Sequence, residues 1–354
     1  MFPLRGLLLG VFAASAIVAF SAGAASADTP DCGSNTLTTA GGTWQCTFAD
    51  NFDGTSLDPS KWIAQRSDLS GYVSGPDACF VDSPNNISVS GGTLKLTARK
   101  EPAPFNCGGP GGFTTQWTSG MVTTWGGRFN QAYGRFEVRA KAPPAQVKGL
   151  QNSFWLWPVD DQKYGSWPGS GEIDIAETYS QYPDLAVPYV HYYPAAPDPN
   201  VTNTTCHISN YAAFHTYAVE WTTSTLKFIY DGQTCLVDSW NPASLTKPAP
   251  FDQPFFIALT QALGIGTNQF DPATTPLPAT TEIDYVHAWQ QTGAGTPDPP
   301  PPTPTPTPAP TPGAGIGAPE VHLGDGAPRR SKRARVASAK RPRATGRRGA
   351  GRRR

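Results

Sequence analysis

The 354-residue chain shows no long amphipathic helical pattern, no Cys-x-x-Cys pair, and, His191 aside, no histidine spaced with acids or cysteines as metal ligands are. Each absence removes a class of protein. Without helical periodicity a helix bundle is excluded. Without ligand spacing a catalytic zinc is not expected, and no cofactor is expected for catalysis. After residue 27 no segment is apolar enough to cross a bilayer as a helix. What remains is a chain of short runs rich in Thr, Val and Tyr, punctuated by Gly, Pro and Asn, which is how strands and turns read. Val138–Lys141, Thr93–Ala98, Leu226–Tyr230 and Phe255–Thr260 predict strands, and Asp231-Gly232 a hairpin turn. Two antiparallel sheets that bury one face against each other, with functional residues on an outer face, make an all-β jelly-roll sandwich.

The N-terminus supplies the compartment. Residues 1–27 carry Arg5, an apolar stretch from Leu7 to Phe20, and the small-x-small site Ala25-Ser26-Ala27, which together read as a signal peptide of a secreted, extracellular protein. All six cysteines follow it, as an oxidising environment favours. Fifteen connectivities are formally open. Pairing neighbours, Cys32 with Cys46, Cys79 with Cys107 and Cys206 with Cys235, closes the shortest loops and is the expected set.

The chemistry concentrates in Gly171-Glu172-Ile173-Asp174-Ile175-Ala176-Glu177. On a helix, at about 100° per residue, the three acids would sit at about 0°, 200° and 140° and share no face. On a strand Glu172 and Asp174 share one face while Ile173 and Ile175 point to the other. Glu177 then falls on the wrong side unless one extra residue, most naturally Ala176, forms a β-bulge and returns it. Carboxyls gathered this way suit a retaining glycosidase, in which one acid is a nucleophile and another a proton donor about 5 to 5.5 Å away. Asp174, lying between, would raise a neighbour's pKa by like-charge repulsion. Sugar rings also need aromatic platforms. Phe154-Trp155-Leu156-Trp157 alternates as a strand, putting Trp155 and Trp157 on one face, and Trp155 with Trp167 is the expected sugar-binding pair.

With their flanks these residues resemble glycoside hydrolase family 16, in the subset with the bulged Glu-x-Asp-x-x-Glu signature. The similarity runs from Phe48–Trp62 through Thr118–Met121, Tyr133–Lys141, Trp167-Pro168, Phe214–Trp221 and Tyr230–Gly232 to Ile283–Trp289, covering residues 44 to 290. It implies a concanavalin-like topology, Glu172 as nucleophile, Glu177 as general acid/base and Asp174 as the acid that assists both. His191 matches a histidine on a cleft strand of the family and is an expected substrate-binding residue. Asp284 matches a ligand of a structural calcium found in some members, although Asn51 stands where the family often has an acid. The bulge argues for laminarinase-like, agarase-like or carrageenase-like members, and the Trp-Pro before Gly-Glu-Ile-Asp favours β-1,3-glucan. Between Gly149 and Trp157, however, Leu-Gln-Asn-Ser-Phe replaces the tryptophan-bearing loop of laminarinases. Transglycosylation, galactan (agar or carrageenan) hydrolysis and a lectin-like module without catalysis are the alternatives. A binding module has no use for paired carboxylates at this spacing.

Beyond Gln291 the composition changes. Residues 28–296 form the catalytic domain, 297–313 a Pro/Thr-rich linker reaching on the order of 50 Å if extended, and 314–354 a disordered basic tail. The zero net charge conceals an asymmetry: 13 basic against 24 acidic residues in 28–296, and 13 of the chain's 27 Lys and Arg in 328–354. Such a tail suits an anionic wall or surface polymer as partner. Nucleic acid fits the charge but not the export signal, so polysaccharide and wall polymer are the expected partners of a protein acting as a monomer.

Overall fold

A computed structural model describes residues 30–33, 38–39, 42–73, 78–109 and 112–292. The expected signal peptide, linker and basic tail lie outside the described residues. Within them the chain is a sandwich of strands: β1 (Thr38–Thr39), β2 (Gly42–Asp50), β3 (Ile63–Ala64), β4 (Ala78–Phe80), β5 (Ile87–Ser90), β6 (Thr93–Asn106), β7 (Thr114–Ser119), β8 (Met121–Thr123) and β9 (Gly134–Lys141). There follow β10 (Leu150–Pro158), β11 (Glu172–Tyr179), β12 (Ala186–His191), β13 (His215–Trp221), β14 (Leu226–Tyr230), β15 (Gln233–Asp238), β16 (Phe255–Leu263) and β17 (Ala279–Thr292). One short helix, α1 (Ser67–Ser70), precedes β4. Among the described residues no helix is long and apolar enough to cross a membrane.

Six strands form one sheet in the order β12-β11-β10-β16-β8-β3. The other eleven form a sheet whose main path is β15-β14-β13-β9-β17-β6-β7-β4, with β2 paired to β17, β1 to β2, and β5 to β6. Pairing is antiparallel throughout except between β4 and β7. Each expected strand is present, and Asp231-Gly232 turns β14 into β15 with both residues at positive φ, 46° and 78°, as a type I′ turn requires.

The core between the sheets follows from period-two alternation. Phe154 and Leu156 of β10, Ile173 and Ile175 of β11 and Ile257 and Leu259 of β16 meet Phe136, Val138, Tyr217, Val219, Phe228 and Val286 of the opposite sheet. Trp62, Trp221 and Trp240 are almost wholly buried, each removing on the order of 200 Å² from water. The three disulfides are Cys32–Cys46, Cys79–Cys107 and Cys206–Cys235, with Cα atoms 5.8, 5.9 and 5.6 Å apart, the neighbour pairing expected from loop length. Cys79–Cys107 fastens β4 to the residue that follows β6.

On the eleven-stranded sheet Asp284 forms an ion pair with Arg139, and the Asn51 Oδ1 atom accepts from His287 Nε2 at 2.8 Å. An arginine bound to the carboxylate and an amide oxygen already held by an imidazole do not fit a calcium cradle, which needs six to eight free oxygen ligands. Asp284 is here a charge partner within its sheet.

Asp238, at the end of β15, is 1% exposed, and neither carboxylate oxygen meets a hydrogen-bond donor among the described residues. Burial and the neighbouring Asp198 push its pKa up to about 7. A carboxyl whose pKa is raised on folding favours the fold fully below its unfolded value near 3.8, and that contribution is lost as pH rises through about 7. Asp238→Asn, which imitates the neutral acid, is therefore expected to raise stability at pH 8 by on the order of 1–3 kcal/mol and to change it little at pH 4. Urea unfolding of both proteins at the two pH values checks this.

Candidate active site

The acids occupy the outer face of β11. Gly171, at φ 85°, turns the preceding loop into the strand, and a Cβ there would lie 2.8 Å from the Phe251 ring. Cross-strand pairing then runs Glu172 with His191 and Asp174 with Tyr189, but jumps to Glu177 with Val187. One residue more on β11 than on β12 is the bulge that three acids on one face require. On β10 the shift falls between Phe154, opposite Ala176, and Trp155, opposite Asp174, so Ile175 rather than Ala176 has no partner there. Both Ile175 and Ala176 point into the core, where the larger side chain fills more space. The Ile175 carbonyl accepts from the Tyr230 hydroxyl at 2.8 Å, which satisfies a backbone group at the bulge.

All three acids are buried: Glu172 is 0%, Asp174 2% and Glu177 5% exposed. One carboxylate oxygen each from Glu172 and Asp174 and one ring nitrogen of His191 lie within 4.8 Å of one another. Trp167 Nε1 donates to Glu172 Oε2 at 2.5 Å, whereas the buried Glu172 Oε1 meets no donor among the described residues. Asp174 Oδ2 lies 2.9 Å from His191 Nε2. His191 stacks on Tyr189 with ring centroids 4.3 Å apart and sits 5.4 Å from the Trp167 ring. Glu177 Oε1 accepts from Gln151 Nε2 at 2.7 Å and Ser153 Oγ at 3.2 Å, and its Oε2 accepts from the Tyr179 hydroxyl at 2.6 Å.

The charges are coupled. Burial first, then Asp174, hold the Glu172 carboxyl well above the ordinary range, opposed by the His191 cation and the Trp167 N–H. The same two causes push Glu177 up to about 7, against the pull of Tyr179, His191 and Gln151. Burial works against charge on His191, but Glu172, Asp174 and Glu177 outweigh it and hold the imidazole up at about 9. Near neutral pH the site thus holds an imidazolium among carboxyls, one of them poised to give or take a proton.

The aromatic residues are placed less simply. Trp155 and Trp157 share the acid-bearing face, as alternation predicts, but are 2% and 4% exposed in a cluster with Tyr72, Phe80, Met121 and Phe256. Trp155 Nε1 donates to Thr260 Oγ1 at 3.0 Å. As they lie, these two indoles pack in one cluster with Tyr72 and Phe80, whose rings stack with centroids 5.4 Å apart. Half-buried Trp167 is the indole that touches an acid, and His191 reaches Asp174. Gln151, Ser153, Tyr179, Tyr72 and Tyr189 were not singled out from the sequence. Gln151 and Ser153 alternate with Trp155 on β10, and Tyr179 lies two residues beyond Glu177, so the period-two pattern could have found these three. Nothing local marks Tyr72, which the fold brings over the acids.

The family description that matches residues 44–291 is "Beta-porphyranase A-D, GH16 domain". The chain belongs to glycoside hydrolase family 16. It is therefore a glycoside hydrolase, and its relatives carry related names. The family 16 domain is 31% identical over 266 residues to "Glucan endo-1,3-beta-glucosidase" of Cryptopygus antarcticus, covering 71% of this chain and 93% of that one. It is 29% identical over 272 residues to "Glucan endo-1,3-beta-glucosidase A1" of Niallia circulans, of which the chain spans 37%. The laminarinase structure from Rhodothermus marinus superposes with a TM-score of 0.59 at 29% identity, covering 70% of this chain and 98% of that one.

Proposed function

We propose that this family 16 hydrolase is a secreted endo-β-1,3-glucanase acting by double displacement with retention of configuration. The observation that carries the reading is the bulge in β11, which sets Glu172, Asp174 and Glu177 on one buried face with Glu177 pushed up to about 7. In the first step the ionised form of Glu172, whose charge the His191 cation and the Trp167 N–H favour against burial, attacks the anomeric carbon through Oε1 while Glu177 gives its proton to the departing glycosidic oxygen. The C–O bond to the leaving sugar breaks and an ester to Glu172 forms. In the second step the Glu177 carboxylate takes a proton from water, whose oxygen attacks the same carbon and releases Glu172. Asp174, paired with the His191 cation, lies beside Glu172, and Trp167 holds the other Glu172 oxygen. A sugar hydroxyl in place of water would give transglycosylation with the same residues.

The six strands of the acid-bearing sheet contain no lysine or arginine. That favours a neutral glucan over a sulfated galactan, whose sulfates call for cations. The match to the porphyranase-type family description supports galactan as the second reading. The relatives' names support glucan, and the three disulfides support export. Reducing-end release from laminarin, lichenan, agarose, carrageenan and porphyran tests the choice. Laminarin is expected to be cleaved fastest, to a ladder of oligosaccharides, and faster cleavage of porphyran overturns the glucan reading. Proton NMR of the first product is expected to show the β-anomer; initial α-product overturns retention.

A further inference from the structure

Cross-strand register places Ser153 opposite Glu177 and Gln151 opposite Tyr179, so β10 and the end of β11 close around one carboxyl. The contacts divide by chemistry. Gln151 Nε2 is a donor only, and it faces Oε1. The Tyr179 hydroxyl, which can donate or accept, faces Oε2. We infer that Gln151 and Tyr179 are positioning residues for Glu177 that confine its exchangeable proton to Oε2. This rests on the reading of Glu177 as the acid/base.

The argument is one of hydrogen-bond accounting. The Gln151 amide N–H at 2.7 Å and the Ser153 hydroxyl at 3.2 Å together address both lone pairs of Oε1. A proton there would displace one of them, so Oε1 stays the acceptor in both states of the acid. When Glu177 is ionised, the Tyr179 hydroxyl donates to Oε2; when it is protonated, the hydroxyl rotates and accepts from the Oε2–H. The heavy atoms need not move between the two steps of the reaction, and the carboxyl plane stays fixed. Tyr179 is 3% exposed and Gln151 7%, so water does not readily replace either contact. Burial, Glu177 and Asp174 keep the phenol well above its ordinary pKa, so it remains neutral throughout.

Other groups that face Glu177 are Asp174 and Glu172 on β11, His191 and Tyr189 on β12, Tyr72 beyond α1 and Tyr230 on β14. Neither variant below alters these. Tyr179→Phe removes one oxygen and keeps the ring; Gln151→Met keeps the length of the side chain and removes the donor. Each takes a hydrogen bond from the carboxylate, so each is expected to raise the Glu177 pKa by about one pH unit. Carbon-13 NMR titration of the glutamate carboxyls in wild type and in both variants, assigned with Glu177→Gln, reads that shift without any substrate. The descending limb of kcat/KM is expected to move to higher pH by the same amount. Glu177 titrations that superimpose on wild type in both folded variants overturn the inference. A shifted titration in a protein that cleaves none of the tested glycans upholds the clamp and overturns the functional reading instead.

Discussion

Glu172→Ala is expected to lower kcat on the best polysaccharide substrate by about 10⁴-fold or more while leaving the fold intact. Glu172 is wholly buried, and although its Oε2 accepts from the Trp167 indole, its Oε1 has no hydrogen-bond partner among the described residues, so that oxygen serves no contact in the fold. Burial and Asp174 also make its charge costly, and alanine removes that cost. Circular dichroism and a thermal melt are therefore expected to match or exceed wild type. The emptied space lies beside the anomeric carbon in the proposed complex, so azide is expected to restore cleavage of an activated aryl β-glycoside, giving the α-glycosyl azide. Residual activity within tenfold of wild type without azide would remove Glu172 from the nucleophile's role.

Glu177→Ala is the second large effect, and its signature differs. A general acid is worth about 10² to 10⁴-fold, and polysaccharide cleavage is expected to fall by that factor. Aryl glycosides whose leaving group needs no proton are expected to form the glycosyl-enzyme at near wild-type rates and then to stall, because no base activates water. The pH profile separates this from misfolding. In wild type Glu177 must be protonated to act as the acid and is pushed up to about 7, so kcat/KM falls tenfold per unit as pH rises beyond that value. In Glu177→Ala that limb is expected to flatten. A variant that keeps the wild-type limb would show that another group supplies the proton.

Much of this site is legible in seven residues because strand geometry is periodic and local. Alternation alone puts Glu172 and Asp174 together, and the need to place Glu177 beside them forces the bulge that the β11–β12 register displays. Charge states are a different matter. The rise at Glu177 comes first from burial, and burial is set by the packing of strands and loops from distant parts of the chain. The two β10 tryptophans illustrate the limit. Their face could be read from alternation, but the cover provided by Tyr72 and Phe80 could not, because those residues arrive from a segment some eighty positions earlier in the chain.

Sequence by itself determined the sandwich of strands, the hairpin at Asp231-Gly232 and the shared face of the three acids, and it favoured the disulfide pairing that the structure has. Each depends on residue type and short spacing: period two, loop length, turn chemistry and a signature of six positions. Only the tertiary structure decided which atoms the acids touch. It gave Glu172 the Trp167 indole, Asp174 the His191 ring, Glu177 the Gln151 amide and Tyr179 hydroxyl, and Asp284 the Arg139 guanidinium. Those pairings join residues from different strands and loops, and their strength depends on exclusion of water, which is set by the packed sheets together and by no single segment.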